Sequence, residues 1–252
     1  MSTVLKIHNM TLGHPGLILF RKLSLDFNAG EALAVLGANG AGKTTFVKAL
    51  LGLTAPKSGT LTWPAGRPRD IGYLAQSTGF DSCFPLRVRD LASMGAWKGL
   101  GLWDGLDADA KARVECALDD VGVADLADRP IHTLSGGQLQ RTLFARVILQ
   151  DAPLILLDEP FAAVDQSTEA HLLLMIERWR ADGRAVVLVV HDLSSALDHC
   201  SHALLLGAQQ ATHGTVDEVL TKERLVAQGY LSESQASWIY RAASGDTDAA
   251  HV

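Results

Sequence analysis

Short apolar runs alternate along the chain with segments of helical periodicity. The runs Ala32–Leu36, Leu154–Leu157 and Ala185–Val190 contain no polar residue, which is typical of strands covered on both faces of a sheet. Between them, Phe46–Leu51 and Glu169–Trp179 carry apolar residues at helical spacing. Buried strands that alternate with helices predict an α/β fold with a mainly parallel sheet.

The two ends of the chain follow other patterns. Leu23, Leu25 and Phe27 alternate with polar neighbours, which indicates a half-buried strand near the N-terminus. Residues 244–252 are small and polar, so we expect a disordered tail there. We expect residues 1–243 to form a single domain, because a chain of 252 residues suffices for one large core.

The middle of the chain, about residues 77–150, contains no convincing buried strand and is predicted to be a helical insert. Apolar residues between Asp107 and Val121 follow helical spacing, and Asp107 is suited to cap the first turn. The glycine-rich, aperiodic segment Gly95–Leu106 carries two Trp and is predicted to be a loop. These Trp either form a surface for a partner's helix or pack back onto the insert; both interpretations stay open.

Composition narrows the class of protein without indicating its chemistry. Twenty-two Lys and Arg against 28 Asp and Glu give a net charge of −6, which argues against a general nucleic-acid binder. No apolar run is long enough to cross a bilayer, and the N-terminus lacks a secretory pattern. The three cysteines, Cys83, Cys116 and Cys200, are too few and too scattered for a disulfide framework, so we expect a reducing cytosol.

A phosphate-binding loop follows the first buried run. Residues 37–44 match the pattern G-x-x-x-x-G-K-[ST]. In such loops backbone N–H groups curl around phosphate oxygens, and the next helix directs its positive end at the same anion. Lys43 would supply charge to the β- and γ-phosphates, and the Thr44 hydroxyl would join the Mg²⁺ shell. The loop residues expected to bind nucleotide are Gly37, Asn39, Gly40, Ala41, Gly42, Lys43 and Thr44.

Two adjacent carboxylates follow the second buried run. The strand Leu154–Leu157 delivers Asp158 to the carboxyl edge of the sheet, where ligands of such sheets bind and a carboxylate can hold Mg²⁺. Glu159 is next to it and could accept a proton from an attacking water. A solvated strand end or a helix cap would explain Asp158 alone, but the phosphate loop makes a nucleotide site the better interpretation.

A serine and two glycines open a further helix. Residues 135–138 read Ser-Gly-Gly-Gln and form a second possible anion-binding nest, although a simple helix cap would also explain them. One nucleotide does not need two such cradles in one domain. If both are real, the second serves a nucleotide held by another copy of the chain.

These motifs, in this order, resemble those of the ABC-type ATPases over residues 3 to about 225. The resemblance implies a P-loop NTPase core, an N-terminal antiparallel β subdomain and a helical insert. It assigns Gly37–Thr44 to the Walker A loop, Gln76 to the Q-loop, Leu134–Gln138 to the family signature, Leu154–Asp158 to the Walker B strand, Glu159 to the catalytic glutamate, Ala163–Asp165 to the D-loop and His191 to the switch histidine.

The resemblance also implies partners and cofactors. Two copies would form a head-to-tail dimer around two ATP molecules, working with integral-membrane permease subunits and, indirectly, a periplasmic or extracellular solute-binding protein. The chain would lie on the cytoplasmic face of the membrane. Each ATP would contact Lys43, Thr44, Thr45, Gln76, Asp158, Glu159 and His191 of one subunit and the signature residues Ser135, Gly136, Gly137 and Gln138 of the other, with Mg²⁺ held by Thr44, Gln76 and Asp158.

Two positions depart from the family pattern. The aromatic residue that stacks on adenine is replaced by His14, so base stacking is expected to be weaker and less selective. Leu139 follows the signature, where the family usually has Gln, Arg or Lys, and should matter little to phosphate contacts. Neither change touches a hydrolytic residue.

The subfamily is suggested by shorter stretches. Residues 84–95 and 159–165 resemble the zinc- and manganese-type metal-uptake ATPases, although iron-siderophore and haem importers have similar stretches. A soluble ABC ATPase that takes no part in transport and a non-catalytic nucleotide-binding regulator are less favoured hypotheses. We expect the cluster His199, Cys200 and His202 to be structural, because ligands packed this tightly cannot easily converge on one ion. Trp238–Tyr240 forms either a docking or dimer element or only the seal of a terminal helix.

Overall fold

The computed structural model describes residues 2–68, 70–76, 85–97, 105–162, 164–190 and 193–236. They divide into two compact units, each discontinuous in sequence. The first unit contains Ala29–Glu31 and Arg67–Leu188, and the second contains Ser2–Asn28, Ala32–Gly66 and the chain from Val189 onward. The single domain predicted over residues 1–243 stays a prediction.

Strands and helices alternate through both units. The strands are β1 (Thr3–His14), β2 (Leu17–Asn28), β3 (Ala32–Gly37), β4 (Ser58–Thr62), β5 (Ile71–Leu74), β6 (Leu154–Asp158), β7 (Ala185–Val189), β8 (His202–Gly207) and β9 (Gln210–Thr215). The α-helices are α1 (Lys43–Leu50), α2 (Val88–Ser93), α3 (Ala108–Asp120), α4 (Gly136–Gln150), α5 (Gln166–Ala181), α6 (Leu193–His199), α7 (Val216–Val219) and α8 (Lys222–Ala227). Short 3-10 helices span Met94–Ala96, Ala124–Leu126 and Ile131–Thr133.

The predicted α/β architecture is confirmed. In the first unit β5 pairs with β6 in parallel, and in the second β3 pairs with β8 in parallel and β8 with β9 antiparallel. Every residue of β3, β6 and β7 is buried, as their apolar runs predict. Two of these three strand pairs are therefore parallel, and the strands β3, β6 and β7 are enclosed on both faces.

An antiparallel sheet of order β2-β1-β4 forms the N-terminal part of the second unit. Leu23, Leu25 and Phe27 are buried along β2, so the predicted half-buried strand is confirmed. Its partner β1 escapes sequence analysis because irregularities in its register break the alternation. Met10, Thr11 and Leu12 are buried in succession, just after Asn9 with φ at +49°.

The described part of the predicted insert, residues 85–97 and 105–150, is helical and contains no strand beyond one isolated bridge between Arg87 and Pro130. The predicted cap of α3 is confirmed, because the Asp107 carboxylate accepts a hydrogen bond from the Ala110 N–H at 2.7 Å. Val114, Ala117 and Leu118 are buried on one face of that helix.

The predicted loop at Gly95–Leu106 begins too early. Gly95 belongs to the 3-10 helix Met94–Ala96 and is buried. A Cβ at Gly95 would overlap the carbonyl oxygen of Arg146, so only glycine allows this backbone to approach α4 so closely. Trp97 follows and is 52% exposed, while residues 98–104 lie outside the described part of the chain.

Among the residues that the structure describes, no helix combines the length and the apolar composition needed to cross a bilayer.

Candidate nucleotide-binding site

The phosphate loop joins β3 to α1 in the second unit. Gly37, Gly40 and Gly42 have φ angles of 155°, 82° and 109°, in the left-handed region that side chains disfavour. A Cβ at Gly37 would also overlap the carbonyl oxygen of Leu206. The glycine spacing read from the sequence therefore corresponds to a backbone that only glycine can form, with Asn39 and Gly40 exposed at its tip.

Lys43 is the first residue of α1 and is 7% exposed. Its Nζ donates to the carbonyl oxygens of Gly37 at 2.7 Å and Ala38 at 3.3 Å, so the ammonium lies inside the loop. Gly42 provides no side-chain cap, and the first turn carries no acidic residue. The positive end of α1 and the Lys43 charge thus meet at one place, which suits a polyphosphate.

Three other predicted nucleotide contacts have different exposures. Thr44 is half-buried and Thr45 is 9% exposed, both in the first turn of α1. His14 is exposed at the end of β1, opposite Leu17 of β2. Two residues further along β2, Leu19 packs on the loop, since a Cβ at Gly42 would lie 3.2 Å from Leu19 Cβ. His14 thus belongs to the unit that carries the loop.

Of the two predicted carboxylates, Asp158 is the last residue of β6 and Glu159 follows the strand, both in the first unit. Asp158 is 1% exposed. The pKa of the Tyr73 hydroxyl is raised above its ordinary value, first by the burial of Tyr73 itself and second by the negative charge of Asp158. Glu159 is half-buried and has φ at +55°, a conformation that is rare for a residue with a side chain. The backbone therefore turns sharply between a buried carboxylate and a partly accessible one. Such outliers concentrate at functional sites.

The signature residues open α4, also in the first unit. Ser135 and Gln138 form a reciprocal capping box: the Gln138 N–H donates to Ser135 Oγ at 3.3 Å, and the Ser135 N–H donates to Gln138 Oε1 at 3.0 Å. Ser135 and Gly136 are exposed, and Gly137 is half-buried. The helix cap that was the alternative interpretation of Ser-Gly-Gly-Gln is therefore present. Because the cap is exposed, it does not prevent the same residues from binding a ligand.

Gln76 lies two residues after β5 and is exposed in the first unit. Lys43, Thr44, Thr45 and His14 belong to the second unit. Several residues singled out in the sequence lie outside the described part of the chain: Ala163, His191, Cys83, Phe84, Trp103 and Trp238–Tyr240.

Sequence analysis missed the polar side chains by which α4 holds neighbouring backbone. Gln140 Nε2 donates to the carbonyl oxygen of Pro160 at 2.7 Å. Arg146 Nη2 donates to the carbonyl oxygen of Tyr73 at 3.0 Å, and Gln150 Oε1 accepts from the Tyr73 N–H at 3.1 Å. Burial lowers the pKa of Arg146 below its ordinary value. No motif marks these residues, because their partners are backbone atoms far away in sequence.

Asp165, the aspartate of the predicted D-loop, caps α5. Its carboxylate accepts hydrogen bonds from the Ser167 hydroxyl at 2.6 Å and from the N–H and hydroxyl of Thr168, both at 2.9 Å. These bonds, the one from Ser167 first, hold the pKa of Asp165 well below its usual range. The charged carboxylate is therefore part of the helix start.

We expect Asp165→Ala to lower the urea midpoint of unfolding most clearly above about pH 5. The folded pKa lies below the unfolded value of about 4. The contribution of the carboxylate is therefore complete above the unfolded value and is lost as the pH falls towards the folded one. Asp165→Asn keeps a capping oxygen without an ionisable group, so its difference from the alanine variant should not depend on pH. An equal loss for Asp165→Ala at pH 7 and pH 3 would exclude the ionised cap.

The cluster His199, Cys200 and His202 shows no arrangement for a metal. Within the described ranges, no group of three or more His, Cys, Asp or Glu side chains is placed to hold an ion. The imidazole of His202 instead stacks on His213 of β9, with 5.7 Å between ring centroids and 13° between planes. Its Nδ1 lies 3.2 Å from Ser201 Oγ.

Comparison with known proteins adds the family. Residues 20–162 match the family model described as ABC transporter. The manganese transport system ATP-binding protein MntB of Bacillus subtilis is 35% identical over 87% of this chain and 90% of its own length. The zinc transport system ATP-binding protein TroB of Treponema pallidum is 33% identical over 86% of this chain and 84% of its own length.

A solved structure agrees with these relatives. An ABC transporter assigned to the metal-chelate type, in an inward-facing conformation, superposes with a TM-score of 0.81 at 32% identity, covering 91% of this chain and 90% of that one. The family match spans more than half of the chain and includes the phosphate loop, the signature and both carboxylates. The chain belongs to the ABC transporter family and is one of its ATP-hydrolysing subunits.

Proposed function

We propose that two copies of this chain close on two Mg·ATP molecules and that their cycle of closing and hydrolysis drives import of a transition-metal ion, manganese or zinc. The observation that carries the nucleotide site is the phosphate loop, where a nearly buried lysine ammonium and an uncapped helix start converge. Binding of ATP is common to the family, and the assignment of individual residues and of Mg²⁺ is part of the proposal.

The phosphate loop binds and orients the triphosphate. Lys43, whose ammonium lies inside the loop, would supply charge to the β- and γ-phosphates, and the N–H groups at the start of α1 would donate to the same oxygens. Thr45 stands beside Thr44 in that first turn. By the family resemblance, His14 would stack on the adenine, and an imidazole offers less stacking area than a larger aromatic ring.

The residues that would hold Mg²⁺ are Thr44, Gln76 and Asp158. A hydroxyl, an amide oxygen and a carboxylate are the hard oxygen ligands that this ion prefers. When bound, the ion would neutralise charge on the phosphate oxygens.

Glu159 is the residue proposed to orient and deprotonate the attacking water. Its backbone leaves the extended conformation of β6 at this residue, and its side chain is only half-buried, so water can reach it. By the family resemblance, His191 would stabilise charge that develops on the γ-phosphate.

The second copy completes each site through the signature. Ser135 is exposed at the start of α4 and is therefore accessible to a ligand. By the family resemblance, a head-to-tail pair would bring Ser135, Gly136, Gly137 and Gln138 of one subunit to the ATP of the other. Such a pair is symmetric, because each subunit gives and receives the same contact.

The transported substrate is proposed from the likeness to the manganese and zinc relatives and from the resemblance of residues 84–95 and 159–165 to metal-uptake ATPases. The likeness to a transporter of the metal-chelate type favours a second candidate, a chelated metal such as an iron-siderophore or haem. In either case the chain would sit on the cytoplasmic face of the membrane against permease subunits, supplied from outside by a solute-binding protein, and would bind no nucleic acid.

The experiment that tests this function uses the complex reconstituted in vesicles with its permease and binding protein. We expect Mn²⁺ or Zn²⁺, delivered by the binding protein, to raise ATP turnover several-fold. Radioactive metal should accumulate on the side of the vesicle membrane that carries this chain, opposite the binding protein. The matched control is the same complex with Glu159→Gln, which should bind ATP and transport nothing. Stimulation by ferric siderophore or haem alone would select the second candidate, and turnover that responds to none of these would contradict metal import.

A further inference from the structure

We propose that Gln140 is a positioning residue that links the signature helix to the turn carrying Glu159. The proposal rests on the roles of Ser135 and Glu159 in the proposed function. It assigns to Gln140 the task of holding Glu159 in its hydrolytic geometry when the start of α4 engages nucleotide.

The geometry places Gln140 between the two motifs. It lies on α4, five residues after Ser135, and its half-buried side chain donates from Nε2 to the carbonyl oxygen of Pro160 at 2.7 Å. Pro160 is buried and follows Glu159 directly. A single side chain therefore bridges the helix of the signature and the backbone next to the proposed base.

The turn after β6 needs such support. Glu159 is in a left-handed conformation, which costs energy for any residue with a Cβ, and Pro160 has no N–H to contribute. The turn's own backbone bonds are longer than the Gln140 bond: Ala162 N to Glu159 O is 3.3 Å, and Val164 N to Phe161 O is 3.4 Å. The hydrogen bond from Gln140 is thus the shortest of these three bonds to the strained segment.

The far half of α4 is fixed to the sheet. Arg146 and Gln150 bond both polar backbone atoms of Tyr73 in β5, and β5 pairs in register with β6, with Tyr73 opposite Leu156. Because these bonds tie this half of the helix to the sheet, we expect a displacement of its N-terminal turn to be taken up near Gln140. The carbonyl of Pro160 then moves with it.

This arrangement connects the two nucleotides of the proposed dimer. Ser135 of a subunit faces the ATP of its partner, whereas Glu159 of the same subunit acts on its own ATP. A contact between α4 and the Glu159 turn therefore lets engagement of one nucleotide adjust the hydrolytic geometry at the other. The coupling runs inside one chain, through one amide.

The test replaces Gln140 by Met, which keeps the length and removes the donor. We expect kcat for ATP to fall about 10- to 100-fold, because a displaced base loses rate steeply with distance, while KM for ATP stays within about twofold. The matched control is Thr142→Val on the same helix, which removes a buried hydroxyl bonded at 2.8 Å to the Gln138 carbonyl oxygen and should leave kcat and KM near the parental values. ATP-driven dimerisation, measured in a Glu159→Gln background, should survive Gln140→Met.

Three results would overturn the proposal: parental kcat in Gln140→Met, a fall in kcat no larger than in Thr142→Val, or a loss of thermal stability with kcat per folded molecule unchanged. If the Met variant does not fold, Gln140→Glu serves instead, because its carboxylate has the same length and cannot donate when ionised. Failure of the proposed function is separable, since it would appear as parental hydrolysis in Glu159→Gln whatever Gln140 does.

Discussion

Glu159→Gln is expected to lower kcat for ATP hydrolysis by about 10³-fold while ATP binding remains. The amide keeps the size and the hydrogen-bonding reach of the side chain but cannot accept the proton of the attacking water. Asp158, Lys43 and the phosphate loop are untouched, so the affinity for nucleotide should change little. Two copies should then stay closed on unhydrolysed ATP and elute as a dimer in gel filtration with Mg·ATP.

The control for this variant is Glu177→Gln, the same substitution on the exposed face of α5. It should leave both kcat and the elution volume as in the parent. Hydrolysis by Glu159→Gln at the parental rate would remove Glu159 from the reaction. A variant that is inactive and also fails to bind ATP would mean that the carboxylate serves binding rather than proton transfer.

Mixing two inactive variants should restore activity if each site is shared between copies. Lys43→Ala removes the charge at the phosphate loop, and Ser135→Arg blocks the signature; each alone should lower turnover about 100-fold or more. In a mixed head-to-tail dimer, one site combines the intact Lys43 of one copy with the intact Ser135 of the other. Random assortment makes half of the dimers mixed, each with one complete site of two, so we expect about a quarter of parental turnover.

The matched control mixes Lys43→Ala with Glu159→Gln. Both residues are assigned to the same half of the site, so no mixed dimer contains a complete site and turnover should stay low. If neither mixture recovers activity, the signature does not complete a partner's site. If both recover, Lys43 and Glu159 do not act on the same nucleotide.

Continuous apolar runs predict the core of this fold well because burial on both faces leaves little freedom in composition. Ala32–Leu36, Leu154–Leu157 and Ala185–Val190 correspond to β3, β6 and β7 within one residue at each end. The pattern does not reveal β1, because its irregular pairing places neighbouring residues on the buried side. The glycine-rich composition predicts that a loop begins at Gly95. In the structure Gly95 lies in a helical turn, where the absence of a side chain allows its backbone to pack closely against α4.

The candidate site divides in a similar way. The local placement of Lys43, Asp158 and Ser135, at a helix start, a strand end and a helix cap, could be predicted because it depends on short spacings within one segment, whereas their roles toward nucleotide stay predictions. The left-handed conformation of Glu159 and the bond from Gln140 to Pro160 could not be predicted: no short motif marks the first, and the second joins residues 20 positions apart. The sequence identifies His14 where the family usually has a larger aromatic residue, and the structure shows that His14 is exposed. The strength of its stacking on adenine stays a prediction.

The bonds between Lys43 and its own loop give this side chain a second role. Its ammonium donates to the carbonyl oxygens of Gly37 and Ala38 within the loop that it follows. A nearly buried cation needs such partners, because an unpaired charge in that position would be costly. Replacing Lys43 therefore removes a brace of the loop as well as a charge, and we expect the Lys43→Ala loop to lose stiffness.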